Sequence, residues 1–169
     1  NPQTWHERKD GKPPFERVTP AQLFERVKID SLYYLATGGG VTFGGGEPLL
    51  HTDFITAFRR VCHPDWRLYA ESCLNVPEEN VRAASAVVDH FFIDIKDMNP
   101  SIYKAYTGRD NTLVKSNLAL LLSLVGAERI TVRVPHIPGF NTDADVQASV
   151  AELTAMGAEG FDVFAYKIP

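Results

Sequence analysis

The chain has 169 residues, 44% hydrophobic and 22% charged, with a net charge of −4 and a pI near 5.7. That is the composition of one ordinary globular domain with room for a substantial core, and the acidic balance argues against a nucleic-acid partner held by a basic surface. No apolar run approaches the roughly 20 residues that cross a bilayer, the opening Asn1-Pro2-Gln3-Thr4-Trp5-His6 is no charged-then-apolar leader, and two cysteines are too few for a disulfide framework.

In chain order, residues 1–18 are polar, rich in proline and charge, and read as peripheral irregular chain. Thr19-Pro20-Ala21-Gln22 predicts a helix start, with Thr19 as N-cap and Gln22 closing a capping box. Leu23, Phe24, Val27, Leu32 and Leu35 form its apolar face, with an interruption near Asp30-Ser31. Next comes Gly38-Gly39-Gly40-Val41-Thr42-Phe43-Gly44-Gly45-Gly46-Glu47-Pro48-Leu49-Leu50, a short β-prone run between two glycine triplets. A helix capped by His51 or Thr52 follows, through about Val61, with Phe54, Ile55, Phe58 and Val61 on one face. Residues 67–71 read as a strand, and Asn75-Val76-Pro77-Glu78-Glu79 starts another helix with acids in its first turn. Residues 90–96 form a strand whose fully apolar middle suits a buried parallel sheet. Asn99-Pro100 caps a short helix ending near Thr107-Gly108, and a longer apolar helix runs from about Asn111 to Leu124. Residues 129–134 read as a strand that ends at Pro135. Thr142-Asp143-Ala144-Asp145 opens a helix that closes at Gly157, and residues 161–166 are the last strand.

Alternating strands and helices imply parallel pairing with right-handed crossovers. The expectation is a single α/β domain of about five β/α units: residues 1–37 a peripheral segment and helix, residues 38–169 an open or partial barrel or a doubly wound sheet. In a barrel, chemistry sits at the C-terminal strand ends. There the successive strands deliver Gly45, Gly46 and Glu47; Glu71 and Ser72; Asp94 and Lys96; Arg133, with His136 just beyond; and Tyr166 with Lys167.

The glycine stretch strips side chains from a strand end, so a ligand can approach its backbone. It lacks the Lys and Ser or Thr of a phosphate loop, and Glu47 would repel phosphate. Backbone carbonyls beside a carboxylate suit an ammonium; a plain surface turn is the alternative. Phe92, Asp94 and Lys96 share one face of their strand. The acid and the lysine suit either a ribose and carboxylate site or a structural ion network with Glu71. Arg133 suits two-pronged pairing with a carboxylate or an ordinary salt bridge. His6, His51, His63, His90 and His136 show no metal spacing, and His136 alone falls on the expected active face. Tyr33-Tyr34 and Phe91-Phe92 read as core. Cys62 and Cys73 read as buried or half-buried thiols in a reducing cytoplasm.

Gly-Gly-Glu-Pro at a strand end resembles the signature of radical S-adenosylmethionine (SAM) enzymes. The wider stretch is similar to the version in glycyl-radical enzyme activating enzymes, the pyruvate formate-lyase activase group. Four further segments match in order: Glu71-Ser72; Asp94-Ile95-Lys96-Asp97-Met98-Asn99; Tyr103 and Tyr106 with Thr107-Gly108 and Asp110-Asn111; and Arg133-Val134-Pro135 with Ile137-Pro138-Gly139-Phe140-Asn141. The resemblance spans about residues 37–164 and implies a partial (β/α)6 barrel lacking its first strand. It implies that Gly45, Gly46 and Glu47 hold the amino group of SAM, with Glu71, Ser72, Asp94, Lys96, Arg133 and His136 around the rest. It also implies a monovalent cation at Glu71, Ser72 and Asp94. The implied chemistry is anaerobic: a [4Fe–4S] cluster, fed by a flavodoxin or ferredoxin type reductant, cleaves SAM, and a hydrogen is taken from a glycine of a partner glycyl-radical enzyme.

The chain departs from the family in one respect. The cluster needs three thiolates, Cys-x-x-x-Cys-x-x-Cys, with one iron left open for SAM. The only cysteines are Cys62 and Cys73. In the activases the last cluster cysteine is commonly followed by His-Asn-Pro-Glu, and this chain opens Asn1-Pro2-Gln3. The expectation is therefore the core of a longer activase, inactive by itself. A radical SAM enzyme modifying a different peptide, a non-catalytic binding domain of the same fold and an unrelated β/α enzyme using the strand-end acids directly are the alternatives.

Overall fold

A computed structural model describes residues 16–166. The first element among the described residues forms for the reason its sequence suggests: the Thr19 side chain accepts from Gln22 N, the Gln22 side chain accepts from Thr19 N, and helix α1 runs Pro20–Val27. One 3-10 turn, Lys28–Asp30, joins it to α2, Ser31–Thr37, which ends on Gly38 at φ +66°. Trp66 anchors both helices. It is 1% exposed, lies within 5.7 Å of the Phe24 ring and 5.0 Å of the Tyr34 ring, and donates to Ser31 Oγ at 3.3 Å.

The sheet has five parallel strands in sequence order: β1 Gly40–Phe43, β2 Arg67–Ser72, β3 His90–Asp94, β4 Ile130–His136 and β5 Gly160–Ala165. Between them lie α3 Thr52–Val61, α4 Glu78–Ser85, the pair α5 Pro100–Thr107 and α6 Thr112–Val125, and α7 Asp143–Ala155. Right-handed crossovers that always step in one direction place every helix on the same face, which is barrel-type winding rather than double winding.

Alternation along the strands divides the sheet. Leu68, Ala70, Phe91, Ile93, Ile130, Val132 and Val134 are at most 2% exposed and pack into one core with Ile55, Phe58, Val81, Ala84, Leu118, Leu121, Val146 and Leu153 of the helices. Each Val, Leu, Ile or Phe among them contributes about 1.5–3 kcal/mol of burial. Residues of the other parity, Tyr69, Glu71, His90, Phe92, Asp94, Thr131 and Arg133, stay half-buried on the open inner face. At the N-terminal strand ends, Arg59 donates to Trp66 O at 2.8 Å and Val87 O at 3.2 Å and pairs with Asp89, whose carboxylate also accepts from Leu68 N at 2.6 Å. That end is knit for stability and leaves the opposite end for ligands.

Two expectations are corrected. The fourth strand does not end at Pro135 but continues to His136. Arg133 O accepts from Ile95 N on the β3 side, so two residues on, the Pro135 nitrogen faces that same side, where pairing with β3 has stopped at Asp94. A missing donor costs nothing there. Tyr33 is 68% exposed, and Phe92 lies on the inner face, stacked 6.2 Å from Tyr69; of the two pairs only Tyr34 and Phe91 join the core as read. The expected irregular residues 1–15 and Lys167 lie outside the described residues.

Candidate functional site

The site begins with the glycine loop. Gly40 lets β1 approach β2, since a Cβ there would stand 1.8 Å from Arg67 O. Gly45 takes φ +97°, which glycine adopts without a steric cost. At Gly45 and Gly46 an added Cβ would meet nothing within 4 Å, so the loop is open to an incoming ligand. At Gly44 a Cβ would come 3.5 Å from Glu71 Oε2, which places that acid directly against the loop.

From Glu71 a row of charge crosses the C-terminal edge of the sheet. Arg133 donates to both oxygens of Asp94, Nε at 2.8 Å and Nη2 at 3.1 Å, and Nη2 also donates to Glu71 Oε2 at 3.3 Å. The register sets this up, because Asp94 pairs with Arg133 across β3 and β4. The Asp94 carboxylate, ahead of desolvation, holds the guanidinium above its ordinary pKa. Lys96 lies 3.9 Å from Asp94 and donates to Tyr166 Oη at 2.7 Å, with its ammonium 5.4 Å from that ring's centroid. Below the charges lies an aromatic layer of Tyr69, His90 and Phe92, with His90 Nε2 2.9 Å from Thr131 Oγ1. Burial, reinforced by Arg129 and Arg67, depresses the His90 pKa.

The structure thus brings together Glu71, Asp94, Lys96 and Arg133, sets the loop that carries Gly45 and Gly46 against them at Gly44, and separates three others. The Glu47 carboxylate is turned into the protein. Its Oε1 accepts from Leu49 N at 3.1 Å and Ser72 Oγ at 2.8 Å; its Oε2 accepts from Cys73 N at 2.9 Å and Cys73 Sγ at 3.1 Å. Ser72 has the parity of the core, is 2% exposed and serves Glu47 and Leu74 N, so it stands apart from Glu71 and Asp94. His136 has the parity of Val134 and turns to the start of α7, where its Nδ1 lies 3.3 Å from Asp143. A single residue shift from Pro135 to the strand's true end moved it to the other face.

Several contributors carried little signal. Leu74 is fully buried at φ +56°, the only non-glycine with positive φ among the described residues; no Gly or Asn marks it. That conformation costs of order 1–3 kcal/mol. Asn117 compensates from α6, donating to Leu74 O at 2.9 Å and Val76 O at 2.8 Å. Asp97, 1% exposed, accepts from Asn99 N at 2.8 Å, Asn141 Nδ2 at 3.1 Å and Ser149 Oγ at 3.3 Å, and so ties the loops after β3 and β4 together. Burial and Glu47 push the Cys73 thiol up to about 11, leaving it a protonated donor. Cys62, buried at the end of α3, is likewise raised by burial.

This fold is a β/α enzyme scaffold, and its row of charge lies at the C-terminal strand ends, where barrels of this kind carry their ligand sites. Residues 3–152 match the radical SAM superfamily, and the chain belongs to it. Its relatives are activating enzymes. It is 35% identical over 131 residues to the indoleacetate decarboxylase activating enzyme of Tractidigestivibacter scatoligenes, covering 77% of this chain and 41% of the relative. It is 31% identical over 151 residues to the isethionate sulfite-lyase activating enzyme of Nitratidesulfovibrio vulgaris, covering 88% and 48%. A solved domain of pyruvate-formate lyase-activating enzyme from Bacteroides vulgatus superposes with a TM-score of 0.64 at 25% identity, over 78% of this chain and 85% of that one. Streptococcus suis SuiB shares the fold at a TM-score of 0.70 and 9% identity, over 91% of this chain and 35% of SuiB. The chain spans less than half the length of these curated relatives.

Enzymes of this superfamily use SAM and a [4Fe–4S] cluster. The residues present suit SAM: an open glycine loop for an ammonium, two cations for a carboxylate, and two acids for hydroxyls. They do not suit the cluster, whose three thiolates exceed the two cysteines available. Among the described residues no group of three His, Cys, Asp or Glu side chains is arranged to hold a metal, and no helix is long and apolar enough to cross a membrane.

Proposed function

We propose that this chain is the core of a radical SAM activating enzyme that installs a glycyl radical in a partner enzyme. The observation that carries the reading is the unbroken row from Gly44 through Glu71, Arg133, Asp94 and Lys96 to Tyr166 at the open strand ends. Gly45 and Gly46 would receive the amino group of SAM, with the charge of Glu47 behind them. Arg133 and Lys96 would receive its carboxylate, and Asp94 and Glu71 its ribose hydroxyls. Bound at these ends, SAM supplies on one-electron reduction the radical that removes a glycine hydrogen. The chain's own part is to orient it, balance its charges and keep water from the strand ends.

The names of the relatives support an activating role over modification of other peptides. The partner is a glycyl-radical enzyme, and the electron donor a flavodoxin or ferredoxin type protein. The 169 residues alone, holding two cysteines, would not cleave SAM. The test is anaerobic incubation of the native full-length protein with SAM, reductant and a candidate partner, followed by electron paramagnetic resonance. A glycyl doublet in the partner is expected. Its absence from every glycyl-radical enzyme of the same cell, with SAM still cleaved, would contradict the activating role.

A further inference from the structure

We propose that Ser72, backed by Leu74 and Asn117, is a positioning group that holds the Glu47 carboxylate away from the ligand. A SAM ammonium would then meet the backbone of the glycine loop and a fixed negative charge. The proposal rests on reading that loop as the amino-group site.

The geometry points to Ser72 because its hydroxyl does two things. It donates to Glu47 Oε1 at 2.8 Å and accepts from Leu74 N at 2.9 Å. Leu74 donates that N–H, and Asn117 fixes the other side of the same left-handed residue, φ +56°, through its carbonyl, at 2.9 Å. The chain of contacts runs from α6 through the end of β2 to the loop after β1. Its last member is saturated: with Leu49 N, Cys73 N and Cys73 Sγ, each Glu47 oxygen accepts two bonds. A carboxylate so engaged cannot swing toward a ligand without leaving donors unpaired, including the amide of half-buried Cys73. The strain at Leu74 fits the tendency of such strain to persist where the surroundings over-determine it, near binding sites.

Pinning has a chemical consequence. A free glutamate would make a flexible salt bridge to any amine. A pinned one leaves recognition to backbone oxygens whose positions the loop dictates, so affinity depends on placement as well as charge.

The experiment uses the native full-length protein with S72A, S72T and, as a control in the separate buried network, S149A. It reads amide hydrogen exchange at Leu49 and Cys73, whose N–H groups both end on Glu47, and the dissociation constant for SAM by calorimetry. In S72A both amides should exchange at least about tenfold faster and SAM should bind roughly tenfold more weakly. S72T, which keeps the hydroxyl, should restore both, and S149A should change neither. E47Q serves if S72A does not fold: it replaces one acceptor oxygen by a donor, so at least one of the two amides should exchange faster and the Cys73 pKa should fall below about 11. Unchanged exchange at Leu49 and Cys73 in S72A or E47Q would overturn the proposal. Wild type that fails to bind SAM would instead overturn the reading of the loop, while exchange still decides whether Ser72 holds Glu47.

Discussion

Arg133 grips Asp94 with two roughly parallel hydrogen bonds, at 2.8 and 3.1 Å, and reaches Glu71 only with a second hydrogen of the same Nη2, at 3.3 Å. Asp94 is the primary partner and Glu71 the secondary one. Their side chains are 24% and 39% exposed, so solvent screens the second contact more.

D94N should therefore cost about 2 kcal/mol and E71Q less than about 1 kcal/mol in urea denaturation. R133K keeps the charge but loses the fork and should fall between them. Equal losses for D94N and E71Q would show that the two acids share the guanidinium evenly.

Two glycines should respond differently to alanine. G40A drives a Cβ to 1.8 Å from Arg67 O, which β1 can relieve only by leaving β2; the protein should lose more than about 3 kcal/mol or fail to fold. G45A meets open space and carries only the strain of φ +97°, about 1–2 kcal/mol, by thermal melting. A G40A protein as stable as wild type would mean that β1 is not paired as described.

Cys73 should titrate late. Its thiol is raised from the ordinary value of 9.0 to about 11, so the folded state prefers the neutral form. The fold therefore keeps its full stability below about pH 9, and loses it progressively as pH rises from about 9, where the unfolded thiol ionises, to about 11, where the folded one does. The sign is therefore that the native protein takes up fewer hydroxide equivalents than the unfolded one between about pH 9 and 11. Iodoacetamide should label native Cys73 much more slowly than the unfolded chain at pH 9. Equal labelling rates would contradict the contact with Glu47.

The buried Asp97 should couple strongly to Asn141. Removing the acid in D97A should cost about 3 kcal/mol: it leaves one hydrogen of the Asn141 amide and the Asn99 N–H without their acceptor, while Asn141 keeps its bonds to Pro135 O and Ile137 N. A double-mutant cycle with N141A should return about 1–2 kcal/mol of coupling. Strictly additive losses would mean that the loops after β3 and β4 are held separately.

Much of this site was legible because strand alternation is a local rule. Asp94, Lys96 and Arg133 fall on one side of an apolar sheet by parity alone, and Thr19 with Gln22 announces its helix by spacing. What escaped depended on neighbours. Pro135 stays in a strand because of where the adjacent strand stops, and that one fact sends His136 to the other face. Asn141 meets Asp97 from 44 positions away, although both sit in segments the sequence singles out. Leu74 adopts a glycine's backbone with nothing in its identity to mark it, and the Asn117 side chain that holds its carbonyl comes from 43 positions away.

The most direct test of the account is whether the native full-length protein, with its iron–sulfur content verified, converts SAM to 5′-deoxyadenosine under anaerobic reduction. The account predicts that wild type forms 5′-deoxyadenosine and that D94N and R133A, checked for folding, lose most of this activity together with SAM binding. A cluster-loaded wild type that forms none, or variants that cleave SAM as well as wild type does, would contradict the claim that the strand-end row is the SAM site.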